Sequence, residues 1–133
     1  MVEIPPATFR CPAITIYSRD VVRLVRFYVS LGFQETFRTP ADGTPVHVEL
    51  TLDGFRIGVA SVDAAVADHG LRLDLGGRPV EIVLWTDDRD RDYARLTAAG
   101  APSLSPPHDF LVALRSAWVA DPDGNPIQLV QHR

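Results

Sequence analysis

The sequence predicts an α+β chain built from two tandem strand–helix–strand–strand–strand modules. Two internal repeats and one pattern carry this reading. "ITIYSRDVVRLVRFYVSLGF" (Ile14 to Phe33) returns at an offset of 68 as "IVLWTDDRDRDYARLTAAGA" (Ile82 to Ala101). "LDGFRIGVA" (Leu52 to Ala60) returns at an offset of 70 as "PDGNPIQLV" (Pro122 to Val130). The pattern is one of periodicity: within each half, runs with strand character flank a single amphipathic helical stretch.

Each copy opens with a short β-branched run, which reads as a strand. Asp20 and Asp88 follow as helix caps, and Gly32 and Gly100 end the helices. In the first helix Val21, Leu24, Val25, Tyr28 and Leu31 share one face; in the second Tyr93, Leu96 and Ala99 do so more weakly. Each helix leaves room for one more strand before "VHVELTL" (Val46 to Leu52) or "LRSAWVA" (Leu114 to Ala120). Asp-Gly then signals a hairpin into the last strand of each half. The modules span about residues 9–60 and 79–131. Residues 61–78 link them, with Ser61 capping a short helix that Gly70 ends, and with Gly76-Gly77 and Pro79 in a loop. One half could not cover its own sheet, so the 133 residues form one domain.

A chain of this length buries roughly two-thirds of its unfolded surface and folds without staples. The single cysteine, Cys11, excludes an internal disulfide and a Cys-rich zinc site. It suits a reducing, cytoplasmic compartment. The N-terminus reads as no secretory signal, and no apolar run is long enough to span a membrane. The 13 basic residues are spread along a chain of net charge −4, so nucleic acid is not an expected partner.

These stretches, above all "VADPDGNPIQLVQ", resemble the vicinal-oxygen-chelate superfamily. It includes glyoxalase I, extradiol dioxygenases, fosfomycin-resistance enzymes and bleomycin-resistance proteins. The resemblance covers nearly the whole chain and is specific to the fold rather than to an activity. It implies that the two sheets form a cup, with helices outside, a small-molecule site inside and a homodimer as the working unit.

Metal-using relatives place one ligand at the start of each module's first strand and a Glu within each last strand. The resemblance carries those positions onto Ala13, Gly58, Glu81 and Gln128. Ala13 and Gly58 have no donor side chain, and catalytic transition-metal sites usually take three or more protein ligands. No metal and no cofactor are therefore expected. A rival set is His47 and Glu49, two apart on one strand and so on one face with Glu81 and Gln128 expected opposite them. This pair either improvises a metal site with Glu81 or forms a half-solvated polar face.

Strand alternation adds Tyr17 and Trp85, which the repeat makes equivalent; they line the pocket or fill the core. Phe110 and Trp118 lie near the third strand of module two, where relatives often carry substrate contacts. His69 reads as a helix-terminal cation. His108, after Pro106-Pro107, reads as an exposed loop residue, and His132 as part of a frayed terminus. Three functions follow. The first is a metal-independent binder of a small organic molecule, similar to the bleomycin-resistance proteins. The second is a metal-dependent lyase, isomerase or dioxygenase. The third is metal-free acid–base catalysis by Glu81 or His47.

Overall fold

The computed structural model describes residues 13–70, 80–110 and 112–133, with Phe110 described by its backbone alone. Cys11, the Gly76-Gly77 and Pro79 loop, residues 9–12 of the first predicted module and residues 71–78 of the predicted linker lie outside the described residues. The elements run β1 (Ile14–Ser18), α1 (Val21–Ser30), β2 (Gln34–Thr39), β3 (His47–Leu52), β4 (Phe55–Ser61), α2 (Val62–His69), β5 (Ile82–Trp85), α3 (Arg89–Ala98), β6 (Ser103–Phe110), β7 (Leu114–Ala120) and β8 (Pro126–His132). They fall into two compact units, residues 1–69 and 70–133. Each holds one four-stranded mixed sheet, ordered β1-β4-β3-β2 in the first and β5-β8-β7-β6 in the second. The fold is the α+β pair of tandem modules that the repeats predict.

In module one, Asp20 caps α1 by accepting the Arg23 N–H at 3.1 Å. Val21, Leu24, Val25 and Tyr28 turn inward and are buried. Burial of a Leu or Val side chain contributes about 1.5–3 kcal/mol, so this stripe anchors the helix on the sheet. Val48, Leu50, Ile57 and Val59 supply the sheet's side of that core and are fully buried. Leu31 stands just past the last helical residue as the half-buried C-cap, with Gly32 beyond it at φ 109°. The β3–β4 hairpin turns through Asp53 (φ 50°) and Gly54 (φ 81°). Two positive φ values match the primed turn whose twist suits paired strands. Ser61 caps α2 by accepting the Ala64 N–H, and Gly70 follows its last residue, His69, at φ 64°.

Module two repeats this plan with a less apolar helix. Asp88 accepts the Arg91 N–H at 3.0 Å. Tyr93 and Leu96 are half-buried, but Ala99 is exposed, which corrects the predicted apolar stripe. Ala99 is the C-cap, past the last helical turn, and it points to solvent. The buried residue of α3 is Arg89. The β7–β8 connection is longer than the first hairpin and is built around Asp121. Its carboxylate accepts the N–H groups of Asp123 and Asn125 and the Asn125 side-chain amide, all between 2.8 and 2.9 Å. No helix among the described residues is long and apolar enough to cross a membrane.

Candidate functional site

In each sheet one face packs on a helix; the opposite face, termed the open face although Ser116 and Val130 on it are buried, carries the alternate residues. Along β5 and the residue before it, the alternation puts Ile82 against the helix, while Glu81, Val83 and Trp85 lie on the open face. Register extends that face across the sheet, because paired positions share a side. Val83 stands beside Gln128 and Gln128 beside Trp118; Trp85 stands beside Val130, then Ser116 and His108. Trp85 is 58% exposed and Val83 46%, so neither fills a core.

Two flat stacks stand on this face. The His132 imidazole lies on the Trp85 indole at 4.7 Å between ring centres and 27° between planes. The His108 imidazole lies on Trp118 at 5.9 Å and 18°. These contacts correct two sequence expectations. His108 is in β6, not a loop, and His132 ends β8 rather than fraying. Pro106 and Pro107 do not break β6 because it is the outer strand of its sheet and shifts register between Ser105 and His108. Prolines are tolerated at edges and bulges, since no ladder hydrogen bond is required there. The Nδ1 atom of His108 is 2.7 Å from the Pro106 carbonyl, which fixes the ring for its stack.

The polar residues of the face are engaged by neighbours. The Trp118 indole Nε1–H donates to Glu81 Oε1 at 3.2 Å. The Gln128 Nε2–H donates to Ser116 Oγ at 3.2 Å. Phe110 ends β6, its backbone paired with Leu114. Behind the sheet, Gln131 ties β8 to the start of α3: its Oε1 accepts the Arg89 N–H and its Nε2 donates to the Asp87 carbonyl. Burial works to raise the Asp92 carboxyl in the first turn of α3, but hydrogen bonds from Thr86 and Arg91 bring it below its ordinary value.

Module one has its own open face. Thr15, Gly58, Glu49 and Phe37 share one register row, and Tyr17, Ala60, His47 and Thr39 the next. Tyr17 is half-buried. A Cβ at Gly58 would stand 3.1 Å from Thr15 Oγ1, 3.2 Å from His47 Cε1 and 3.6 Å from His47 Nε2. The space that a side chain on β4 would enter is thus bordered by the hydroxyl and the imidazole. His47 Nε2 is also 3.8 Å from Glu49 Oε1, and Phe37 tilts against the ring at 6.3 Å. His47 and Glu49 do share a face, as alternation requires.

A model of the Glyoxalase/Bleomycin resistance protein/Dioxygenase superfamily matches residues 10–129. The chain belongs to that superfamily. No curated protein matches it. Among solved structures it is similar to TioX from Micromonospora sp. ML1, at 27% identity and a TM-score of 0.70, with 92% of this chain and 100% of TioX covered. A superfamily member from Sphaerobacter thermophilus DSM 20745 is 28% identical at a TM-score of 0.64, covering 92% of this chain and 98% of that one. A lactoylglutathione lyase from Agrobacterium tumefaciens shares the fold at 17% identity and a TM-score of 0.65, covering 96% of each chain. Family membership does not select between resistance proteins and enzymes.

Many superfamily members use metals, and the residues here fit one poorly. Ala13 and Gly58 offer no donor. One oxygen of the Glu81 carboxylate accepts the Trp118 indole N–H, and Gln128 offers a neutral amide that donates to Ser116. Among the described residues no group of three or more His, Cys, Asp or Glu side chains is placed to hold an ion.

Proposed function

We propose that this protein binds a small organic molecule without a metal, and that the open face of module two is a principal contact surface. The observation that carries this is the pair of imidazole-backed indoles, Trp85–His132 and Trp118–His108, set around the Gln128–Ser116 hydrogen bond. The exposed Trp85 indole and the half-buried Trp118 indole, on one strand face, offer large, flat contact area at little cost in side-chain entropy. Gln128 adds a carbonyl acceptor and a second N–H, which fix the orientation of a ligand's polar group. Sequestration of a drug or metabolite by a cytoplasmic homodimer is the role this favours. Sedimentation at high concentration tests the dimer, and a monomer there removes it from the proposal.

The chain has two tryptophans, and both stand on this face, so tryptophan emission reports on it directly. Titration with flat aromatic carboxamides, beginning with naphthalene-2-carboxamide, should quench that emission saturably, with a matching calorimetric isotherm. EDTA should change neither. Trp85→Ala should weaken binding about tenfold, or about 1.4 kcal/mol. Failure of every flat ring to bind, or binding that EDTA abolishes, overturns the proposal; the latter outcome favours a metal-dependent lyase, isomerase or dioxygenase. Metal-free acid–base chemistry has one observation in its favour, the His47–Glu49 approach at 3.8 Å. Turnover lost in His47→Gln, with binding intact, would establish it.

A further inference from the structure

Arg89 is an anomaly in module two. The repeat sets it opposite Val21, an apolar residue that packs the same position of α1. Packing alone therefore does not call for an arginine. Yet Arg89 is 0% exposed, and burial lowers the pKa of its guanidinium. Its Nε has no hydrogen-bond partner, and its Nη2 meets the Asp90 carboxylate as an ion pair outside hydrogen-bond geometry. Buried charges with unmet donors are costly and call for a reason.

The difference between the modules lies in the outer strand. In β6, Pro106 and Pro107 have no N–H to give β7, and the register breaks between Ser105 and His108. Ser116, which pairs with His108, stands at the border of that break. Its carbonyl accepts Arg89 Nη1 at 3.4 Å. Its side chain, on the other face of the sheet, accepts the Gln128 amide at 3.2 Å. One residue of β7 thus receives the buried cation from behind and the amide of the open face from in front.

We propose that Arg89 is a positioning residue for the open face of module two. By donating to the Ser116 carbonyl it holds β7 where the diproline strand cannot, and so fixes the hydroxyl that anchors Gln128. This rests on the reading of that face as ligand-binding, but its test does not.

The chain has three glutamines and one asparagine, so side-chain amide signals in a proton–nitrogen correlation spectrum are few and assignable. In Arg89→Met the Gln128 amide pair should move toward the values of a solvent-exposed amide, as it should in Ser116→Ala. The Asn125 pair, held by Asp121, should stay. Arg89→Lys keeps a cationic donor and should restore the Gln128 signals at least in part. The melting temperature of Arg89→Met should be no lower than that of the native protein, because an apolar chain replaces a poorly paired buried charge. Its affinity for naphthalene-2-carboxamide should fall about tenfold. Unmoved Gln128 signals in a folded Arg89→Met overturn the proposal. So does an Arg89→Met that cannot fold, since Arg89 then holds the module and not the amide. If the native protein binds no flat ring, the proposed function falls while the amide test still decides the role of Arg89.

Discussion

Replacing Gly58 with alanine tests whether the imidazole of His47 is seated in the space left by the missing side chain. The new Cβ would meet Thr15 Oγ1 at 3.1 Å and His47 Cε1 at 3.2 Å, so neighbours must yield by a few tenths of an ångström. Thr15 is β-branched and stiff about χ1, so it yields little. His47 is about one-third exposed and can swing outward. Overpacking costs about 1–3 kcal/mol where neighbours cannot move. Removing a strand glycine returns about 0.5–1 kcal/mol through the unfolded chain. With His47 free to turn, the net change should stay within about 1 kcal/mol, a shift of a few degrees in melting temperature. The ring itself should move: the Hε1 proton on Cε1 should shift as its place beside Phe37 changes, while His69, His108 and His132 hold theirs. Thermal unfolding and a carbon–proton spectrum of the four histidines measure both effects. An unmoved His47 signal, or a loss beyond about 3 kcal/mol, refutes the reasoning. The result also bears on metals, because a ligating side chain could return to position 58 only by displacing His47.

Other expectations are simpler to state. Gln128→Ala should weaken binding of a confirmed ligand by about 1–3 kcal/mol by calorimetry, since a partly buried polar partner loses its hydrogen bond. Gln128→Glu should confer no zinc or nickel affinity in the same instrument, because Ala13 and Gly58 still offer nothing. Asp121→Ala should lower stability by about 3 kcal/mol in urea unfolding, as a buried carboxylate that accepts two backbone N–H groups and an amide is lost. The Asp109 carboxyl is held below its ordinary value by the Arg115 hydrogen bond, with Arg133 and Arg115 charges adding to it. A depressed carboxyl stabilises the fold above its unfolded pKa and loses that contribution as pH falls through its folded value. Stability should therefore decline below about pH 4, and Arg115→Gln should flatten that decline in acid titration of the melting temperature.

The repeats made the fold legible because backbone pairing and helix caps depend on local signals. Asp20 and Asp88, Asp53-Gly54 and the alternation of Ile82, Val83 and Trp85 each act within a few residues. Side-chain partners across the sheet do not. The two prolines before His108 argue for a loop, and only the register break at the sheet edge explains how it stays in β6. His132 stands near the end of the sequence, where fraying is the expectation, yet β8 runs on to it and Trp85 meets it from the neighbouring strand. Arg89 carries no local signal: a charged residue just inside an acidic helix start reads as solvated. A repeat comparison with Val21 would have marked it. Ala99 failed in the opposite sense, since a helix period carried one residue too far predicts a buried face where the cap already turns outward.

The broken ladder of β6 bears on how the protein behaves in concentrated solution. An outer strand normally shows a row of unused N–H and C=O groups, on which another chain can grow a sheet. The two consecutive prolines thin out the donors of that strand, and the register shifts beside them make it a poor guide for a straight partner. The outer strand of the first sheet, β2, has a break of its own between Glu35 and Phe37. Both antiparallel margins are therefore poor templates for runaway strand addition. The unbroken outer strands, β1 and β5, are only five and four residues long. Among the described residues, the large apolar side chains exposed on the strands thus sit beside margins that are short or broken, which should disfavour fibrous self-assembly.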